Sequence, residues 1–319
     1  MKTPLAGVAL AAGTSLVWGG QFVLGKSALG RVDAFHLTMI RYAIAAVVLL
    51  GLLAALEGWN ALRLDGRGVR LLALGTVGFA GFNLLVYEGL SHSEPQNAAL
   101  ITALGPLLTA LVLWLRARVR PASVTFAALM LALAGVVFVI SHGDPASILS
   151  GSIGWGDALV LGGVLSFVLY TLGAADFRDF SPLRYTALTA GLGWLPIAAA
   201  TAVATGTGLE PEPSAGAVWA IAPQLVYITI LGAAAAVVAW NAAVGLIGPQ
   251  NVMLFGNLVP ITTFAIEIVR GYRPVVLELT GAGVTIGALV LNNLVTRRAV
   301  PAAAPAAERL DEPALAKAA

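Results

Sequence analysis

The sequence predicts an all-α integral membrane protein: ten transmembrane helices forming a 5+5 inverted-topology repeat. Scarce charge, long uncharged runs and one segment that occurs twice carry this reading. Of 319 residues, 59% are hydrophobic and only 11% charged, and mean hydropathy is +0.89. A soluble domain carries about 25% charge, because something must face water. This chain holds less than half of that, which argues against a soluble domain. A formal net charge of +2 is too small to imply a polyanionic partner, so no nucleic acid is expected. With no cysteine there is no disulfide, thiolate metal site or cysteine nucleophile.

A helix crosses the hydrocarbon layer in about 20 mostly apolar residues. Between Lys2 and Lys26 lie 23 uncharged residues, giving a first span at 4–25. The run continues past Ala9-Leu10-Ala11, which mimics a signal-peptide cleavage site, so it is read as a retained helix. Runs 42–56 and 71–87 extend into flanking charge as spans 34–56 and 69–90. The gaps Glu94 to Arg116 and Arg120 to Asp144 place the next two at 95–115 and 122–141. Spans 154–175 and 183–204 follow. The 54 uncharged residues between Glu212 and Glu267 suffice for two crossings and turn at Gly248-Pro249, giving 218–246 and 249–269. The last span is 275–296, and the Ala/Pro-rich segment 299–319 reads as a disordered cytoplasmic tail.

Lys and Arg set orientation. With the N-terminus inside, 13 basic residues fall on the cytoplasmic side and 4 outside, with Arg41 within the second span. That bias predicts both termini in the cytoplasm, and an odd span count would spoil it.

The repeat is the strongest signal. Pro95-Gln96-Asn97, Leu100, Leu104, Pro106, Thr109 and Arg116 recur, shifted by 154, as Pro249-Gln250-Asn251, Leu254, Leu258, Pro260, Thr263 and Arg270. Eight of 22 positions are identical without a gap. These are the fourth and ninth spans, so residues 1–143 form one five-helix repeat and 144–298 a second. Five is odd, so the second copy enters the membrane inverted, an architecture frequent among secondary transporters with a midplane site between the copies. Pro106 and Pro260 each remove a backbone hydrogen bond and are expected to kink or hinge paired helices.

Trp18-Gly19-Gly20-Gln21-Phe22, followed after three more residues by Lys26, resembles the WGxxFxxxK stretch of EamA-type members of the drug/metabolite transporter superfamily. Arg41, Tyr87, Pro106 and Pro260 fit the same pattern, over about residues 5–296. The resemblance implies a ten-helix carrier of the bacterial inner membrane, usually an exporter of small metabolites. Ala239-Trp240-Asn241 is similar to the aromatic amino-acid exporter (YddG-like) branch. One departure stands out: many members end the fourth and ninth helices with a Gly-Glu pair, where this chain has Arg116-Ala117-Arg118 and Arg270-Gly271-Tyr272.

Charge inside a membrane usually marks function. Lys26, Arg41, Glu88, Asp157, Glu267 and Glu278 all fall toward the outer ends of spans, which leaves the middle layer uncharged. Acid-dependent drug antiport uses a mid-helix glutamate where this chain has Gly13-Thr14-Ser15, so that chemistry is disfavoured, as is organic-anion exchange. A neutral or zwitterionic solute such as an amino acid fits better. Its site needs aromatic faces and neutral hydrogen-bonding groups: Trp18, Gln21, Phe22, Phe82, Asn83, Tyr87, Tyr170, Trp240, Asn241 and Asn257. Their structural alternative is packing, or helix-to-helix hydrogen bonding for the amides. Arg41 is expected to pair with Glu88 or Glu267. Trp59, Trp114, Trp155, Trp194 and Trp219 read as interface anchors, and Gly283-xxx-Gly287 as a packing surface.

Enzyme readings are weak. His36, His92 and His142 lack metal-ligand spacing. Gly154-Trp155-Gly156-Asp157 matches the GxGD string of intramembrane aspartyl proteases but has no second membrane aspartate to share a proton. No nucleophile elbow or phosphate loop exists. The expectation is a non-enzyme without cofactor or metal, an exporter working by alternating access, whose partners are a small solute and the lipid bilayer, as a monomer or weak dimer. The alternative is a non-transporting membrane protein, either an assembly subunit or an intramembrane enzyme.

Overall fold

The computed structural model describes residues 4–118, 123–140, 143–144 and 154–299. His142 and, apart from Ala299, the expected tail lie outside the described residues. All regular structure among the described residues is helical. In chain order the helices are α1 (Pro4–Leu29), α2 (Ala34–Glu57), α3 (Gly68–Ser91), α4 (Pro95–Thr102 and Gly105–Ala117) and α5 (Ser123–Ile140). The second five are α6 (Trp155–Phe177), α7 (Pro182–Gly206), α8 (Ala222–Ile247), α9 (Pro249–Met253, a 3-10 turn Leu254–Asn257, then Leu258–Val269) and α10 (Val276–Ala299). Among the described residues, eight of these, all but α5 and α10, are long and apolar enough to cross a bilayer. The protein is therefore a multi-pass membrane protein, and the spans expected from charge spacing match these helices to within a few residues.

Local chemistry starts the helices where the sequence changes character. Asp33 accepts from the Phe35 and His36 backbone N–H groups at 2.9 Å each and opens α2. Ser181 does the same for Arg184, with Pro182 preset for the first turn of α7. Lys26, the last residue of the Trp-Gly motif, donates to the carbonyls of Leu90, Ser91 and Ser93 and so closes the C-terminal end of α3.

Packing is unchanged when the two halves are exchanged. α1 lies against α8 and α9, while its counterpart α6 lies against α3 and α4; α2 pairs with α7, α4 with α9 and α5 with α10. α1 and α8 are antiparallel: Thr14 donates to Ala236 O at 3.2 Å, Trp18 Nε1 to Gly232 O at 3.1 Å and Tyr227 to Val17 O at 3.0 Å. α3 and α6 are antiparallel as well, with Gly78 beside Tyr170, Phe82 beside Gly163, and Gly89 beside Val160. This is the arrangement that inverted copies about a two-fold in the membrane plane produce.

The irregularities repeat too. A π-helical segment, one residue wider per turn, runs through Thr76–Gly81 of α3 and another through Tyr227–Ala235 of α8. The 154-residue shift carries the first onto residues 230–235, inside the second. α4 breaks at Ala103-Leu104, and the same shift carries that break to Asn257-Leu258, where the 3-10 turn of α9 ends. The expected proline kinks are thus full breaks. Pro106 and Pro260 sit in the first turn of the segment that follows, where a backbone N–H has no helical partner to lose.

Two packing expectations need correction. Gly283 and Gly287 face away from neighbouring helices. The close contact of α10 uses Gly281, whose backbone meets that of Gly135 on α5; a Cβ on Gly135 would sit 2.5 Å from Gly281 O. Trp59, Trp155 and Trp219 are exposed, as interface anchors require. Trp194 instead donates its ring N–H to Met39 O at 3.2 Å and ties α7 to α2.

Candidate functional site

A cavity of about 60 Å³ lies between α1, α3 and α4 of the first half and α6, α8 and α9 of the second. Each half contributes the same three of its five helices. One seated water needs 10–15 Å³ of such space, so the cavity holds several waters or part of a small solute. Its wall is aromatic. Trp18 and Trp240 approach to 4.9 Å between ring centres, Trp18 meets Phe167 edge-on at 5.4 Å, and Phe167 leans on Phe82 at 5.0 Å. No lining side chain is ionisable.

Five expected residues line this cavity: Trp18, Gln21, Phe22, Phe82 and Trp240. The other five do not. Asn83 and Tyr87 stand behind Gln21, on the guanidinium of Arg41. Tyr170 and Asn241 belong to a separate network in which Asn241 Nδ2 donates to Tyr170 Oη at 3.0 Å and Thr186 Oγ1 at 2.8 Å, joining α6, α7 and α8. That is helix-to-helix bonding, and it leaves Asn241 Oδ1 buried and unpartnered among the described residues. Asn257 is buried in the 3-10 turn of α9, beside the lining Gly256, with its Oδ1 unpartnered.

Sequence reasoning missed the rest of the wall: Thr102, Gly105, Val164, Phe167, Val168, Met253, Gly256 and Val259. The repeat held the missing signal. Thr102 and Gly256 are partners under the 154-residue shift, and so are Gly105 and Val259. Both pairs flank the breaks in α4 and α9, which bring backbone up to the cavity. Phe167 was hidden by helix phase, since Tyr170, one turn on, carries the hydroxyl that polar reasoning favours.

Arg41 corrects an expectation. Among the described residues it pairs with no carboxylate. It is 1% exposed and donates from Nε to Ile228 O at 2.8 Å, from Nη1 to Asn83 Oδ1 at 3.0 Å and Tyr87 Oη at 2.9 Å, and from Nη2 to Gln21 Oε1 at 2.9 Å. Ile228 lies in the π segment of α8. Glu88 bonds His92 and Glu267 bonds Arg270 instead. Asp157 accepts from Ser93 at 2.6 Å and Glu278 from Tyr272 at 2.8 Å, so these acids serve helix ends.

The sequence model of the EamA-like transporter family matches residues 5–141 and again 154–294, one match to each half. The chain belongs to this family. Relatives within it include the uncharacterized transporter YrdR of Bacillus subtilis, 31% identical over 89% of this chain and 90% of its own length. The uncharacterized transporter YyaM of the same organism is 30% identical over 86% and 89%. A solved crystal structure superposes with a TM-score of 0.64 at 21% identity, covering 94% of this chain and all of its own; at that identity the likeness shows the fold alone. The family and its relatives make this chain a membrane transporter of the EamA type.

Proposed function

We propose that this transporter exports amino acids and similar neutral or zwitterionic amphipathic solutes, aromatic ones among them, across the bacterial inner membrane by alternating access. Both termini face the cytoplasm in this reading. The observation that carries it is the aromatic cavity on the boundary between the inverted halves, built from α1, α3, α4 and their counterparts. Two inverted copies offer two nearly equivalent arrangements of one bundle, each opening to one side. The breaks before Pro106 and Pro260 are the hinges, because a missing backbone bond lets one segment tilt without straining the next. With no carboxylate in the wall there is no proton carrier beside the solute, so transport runs as facilitated export.

Flux of labelled amino acids in proteoliposomes tests this, with and without a pH gradient. Flux above that of empty liposomes, unaltered by the gradient, is expected. Flux equal to empty liposomes over a broad panel of solutes contradicts export, and accumulation driven by the gradient contradicts facilitation.

A further inference from the structure

We infer that Arg41, acting through Gln21, is the specificity-determining residue of the cavity, and that it selects solutes whose polar end is a carboxylate. The inference rests on the transport reading above and names the recognised chemical group.

The guanidinium of Arg41 is a positive group that carries only N–H donors and no acceptor. Among the described residues each hydrogen bond it makes ends on a neutral acceptor: Ile228 O, Asn83 Oδ1, Tyr87 Oη and Gln21 Oε1. The Tyr42 and Tyr87 rings stand 5.1 Å and 5.3 Å from its centre, again without negative charge. A buried positive charge that has no carboxylate partner among the described residues is costly inside a membrane. Helix-to-helix bonding needs no charge there, since a neutral amide does the same between α6, α7 and α8 at Asn241.

Gln21 carries this charge to the cavity. An atom facing a donor-only guanidinium must be the amide oxygen, so the Gln21 side chain is oriented without ambiguity. Its Nε2 amino group, with two N–H donors, is left for the cavity that Gln21 lines. Nothing larger than glycine fits opposite. A Cβ on Gly232 would collide with Gln21 Oε1 and reach within 3.6 Å of Arg41 Nη2. Across the same cavity Trp240 is 1% exposed, and among the described residues its buried ring N–H has no partner. Of the other polar group in the wall, Thr102, the hydroxyl proton is spent on Ala99 O at 2.6 Å. The cavity therefore presents the Gln21 N–H donors, backed by a positive charge, between aromatic faces. That field favours an oxyanion at the Gln21 end and penalises an ammonium there.

Four probes that share a phenyl ring separate the possibilities: phenylalanine, phenylpropionate, phenethylamine and phenylalaninamide. Binding to the full-length protein in nanodiscs is read by isothermal titration calorimetry, and flux from proteoliposomes. Phenylalanine and phenylpropionate are expected to bind about tenfold or more tighter than the two compounds without a carboxylate, the effect of a charge-assisted hydrogen bond. Gln21→Glu keeps the shape, supplies the missing counter-charge to Arg41 and so protects the fold. It is expected to erase that preference while phenethylamine binding holds or improves. Arg41→Gln is expected to lose the preference in the same way. Equal binding of phenethylamine and phenylpropionate to the natural protein overturns the inference, as does a preference unchanged in Gln21→Glu. Binding of all four without preference sinks only this inference. Binding and flux of none of them sinks the aromatic-solute reading of the cavity, and this inference with it.

Discussion

Trp240 shows how much one buried side chain can carry. Its ring packs on Trp18 at 4.9 Å, while its N–H is left without a partner. Trp240→Phe removes the N–H and also shrinks a fully buried ring, so it is expected to lower the unfolding temperature modestly through the space left behind, while raising the KM for export several-fold. Equal KM values in a flux assay would show that the N–H never meets solute. Lys26→Met is the contrasting case. It strips donors from three carbonyls at the end of α3 and is expected to lower stability by about 1–3 kcal/mol, read as an earlier unfolding transition in detergent. At this scale the sequence revealed residue type but not direction. Trp18, Gln21, Phe22, Phe82 and Trp240 were identified as lining because large aromatic and amide groups are rare at mid-depth. Asn241 and Tyr170 matched the same criterion, yet their side chains point at Thr186 and at each other, and only helix rotation decides that.

Whole helices were easier to read than their interruptions. Charge spacing located all ten helices, eight of them long and apolar enough to cross a bilayer among the described residues, because an uncharged run of membrane length has few alternatives. The π segments of α3 and α8 left no such mark, since widening one turn changes neither composition nor hydropathy. The prolines did announce the breaks in α4 and α9, though as kinks. Pro106→Ala and Pro260→Ala are each expected to cut flux several-fold with little loss of folded protein, since alanine favours continuing the helix through the break. Measured flux at the natural level in both would remove the hinge role. Gly281→Leu on α10 should separate α10 from α5, because the added side chain meets Gly135 O and Val139. Unfolding at a lower temperature is expected, whereas Gly283→Leu, which meets open space, should be silent.

The whole molecule is held across its halves at one end by ion pairs. Arg67 binds Asp179, Arg70 binds Asp176, and Arg184 binds Asp65 at 2.7 Å, so the segment after α2 and the start of α3 are tied to the end of α6 and the start of α7. The Arg67 hydrogen bonds hold the Asp179 carboxyl below the ordinary aspartate range. A folded-state value below the unfolded one adds stability above the ordinary range, and that share is lost as pH falls through the lowered value. Unfolding temperature should therefore drop on acidification through this window, by a small amount because exposed pairs contribute little, and Asp179→Asn should flatten that part of the profile. An identical acid limb in the variant would assign the effect to other groups. The repeat made this global arrangement legible before any coordinates, since an odd number of helices used twice must invert. What it could not reveal was which helices line the centre, because that depends on the crossing of α1 with α8 and α9 and of α6 with α3 and α4.

Side-specific labelling tests the central claim most directly. The chain has no cysteine, so Thr102→Cys places a single thiol in the cavity wall without further engineering. In vesicles of known orientation, a membrane-impermeant thiol reagent should modify it from either side, more slowly when phenylalanine is present. Modification from neither side, with the protein folded and inserted, would contradict a cavity that opens alternately across the membrane.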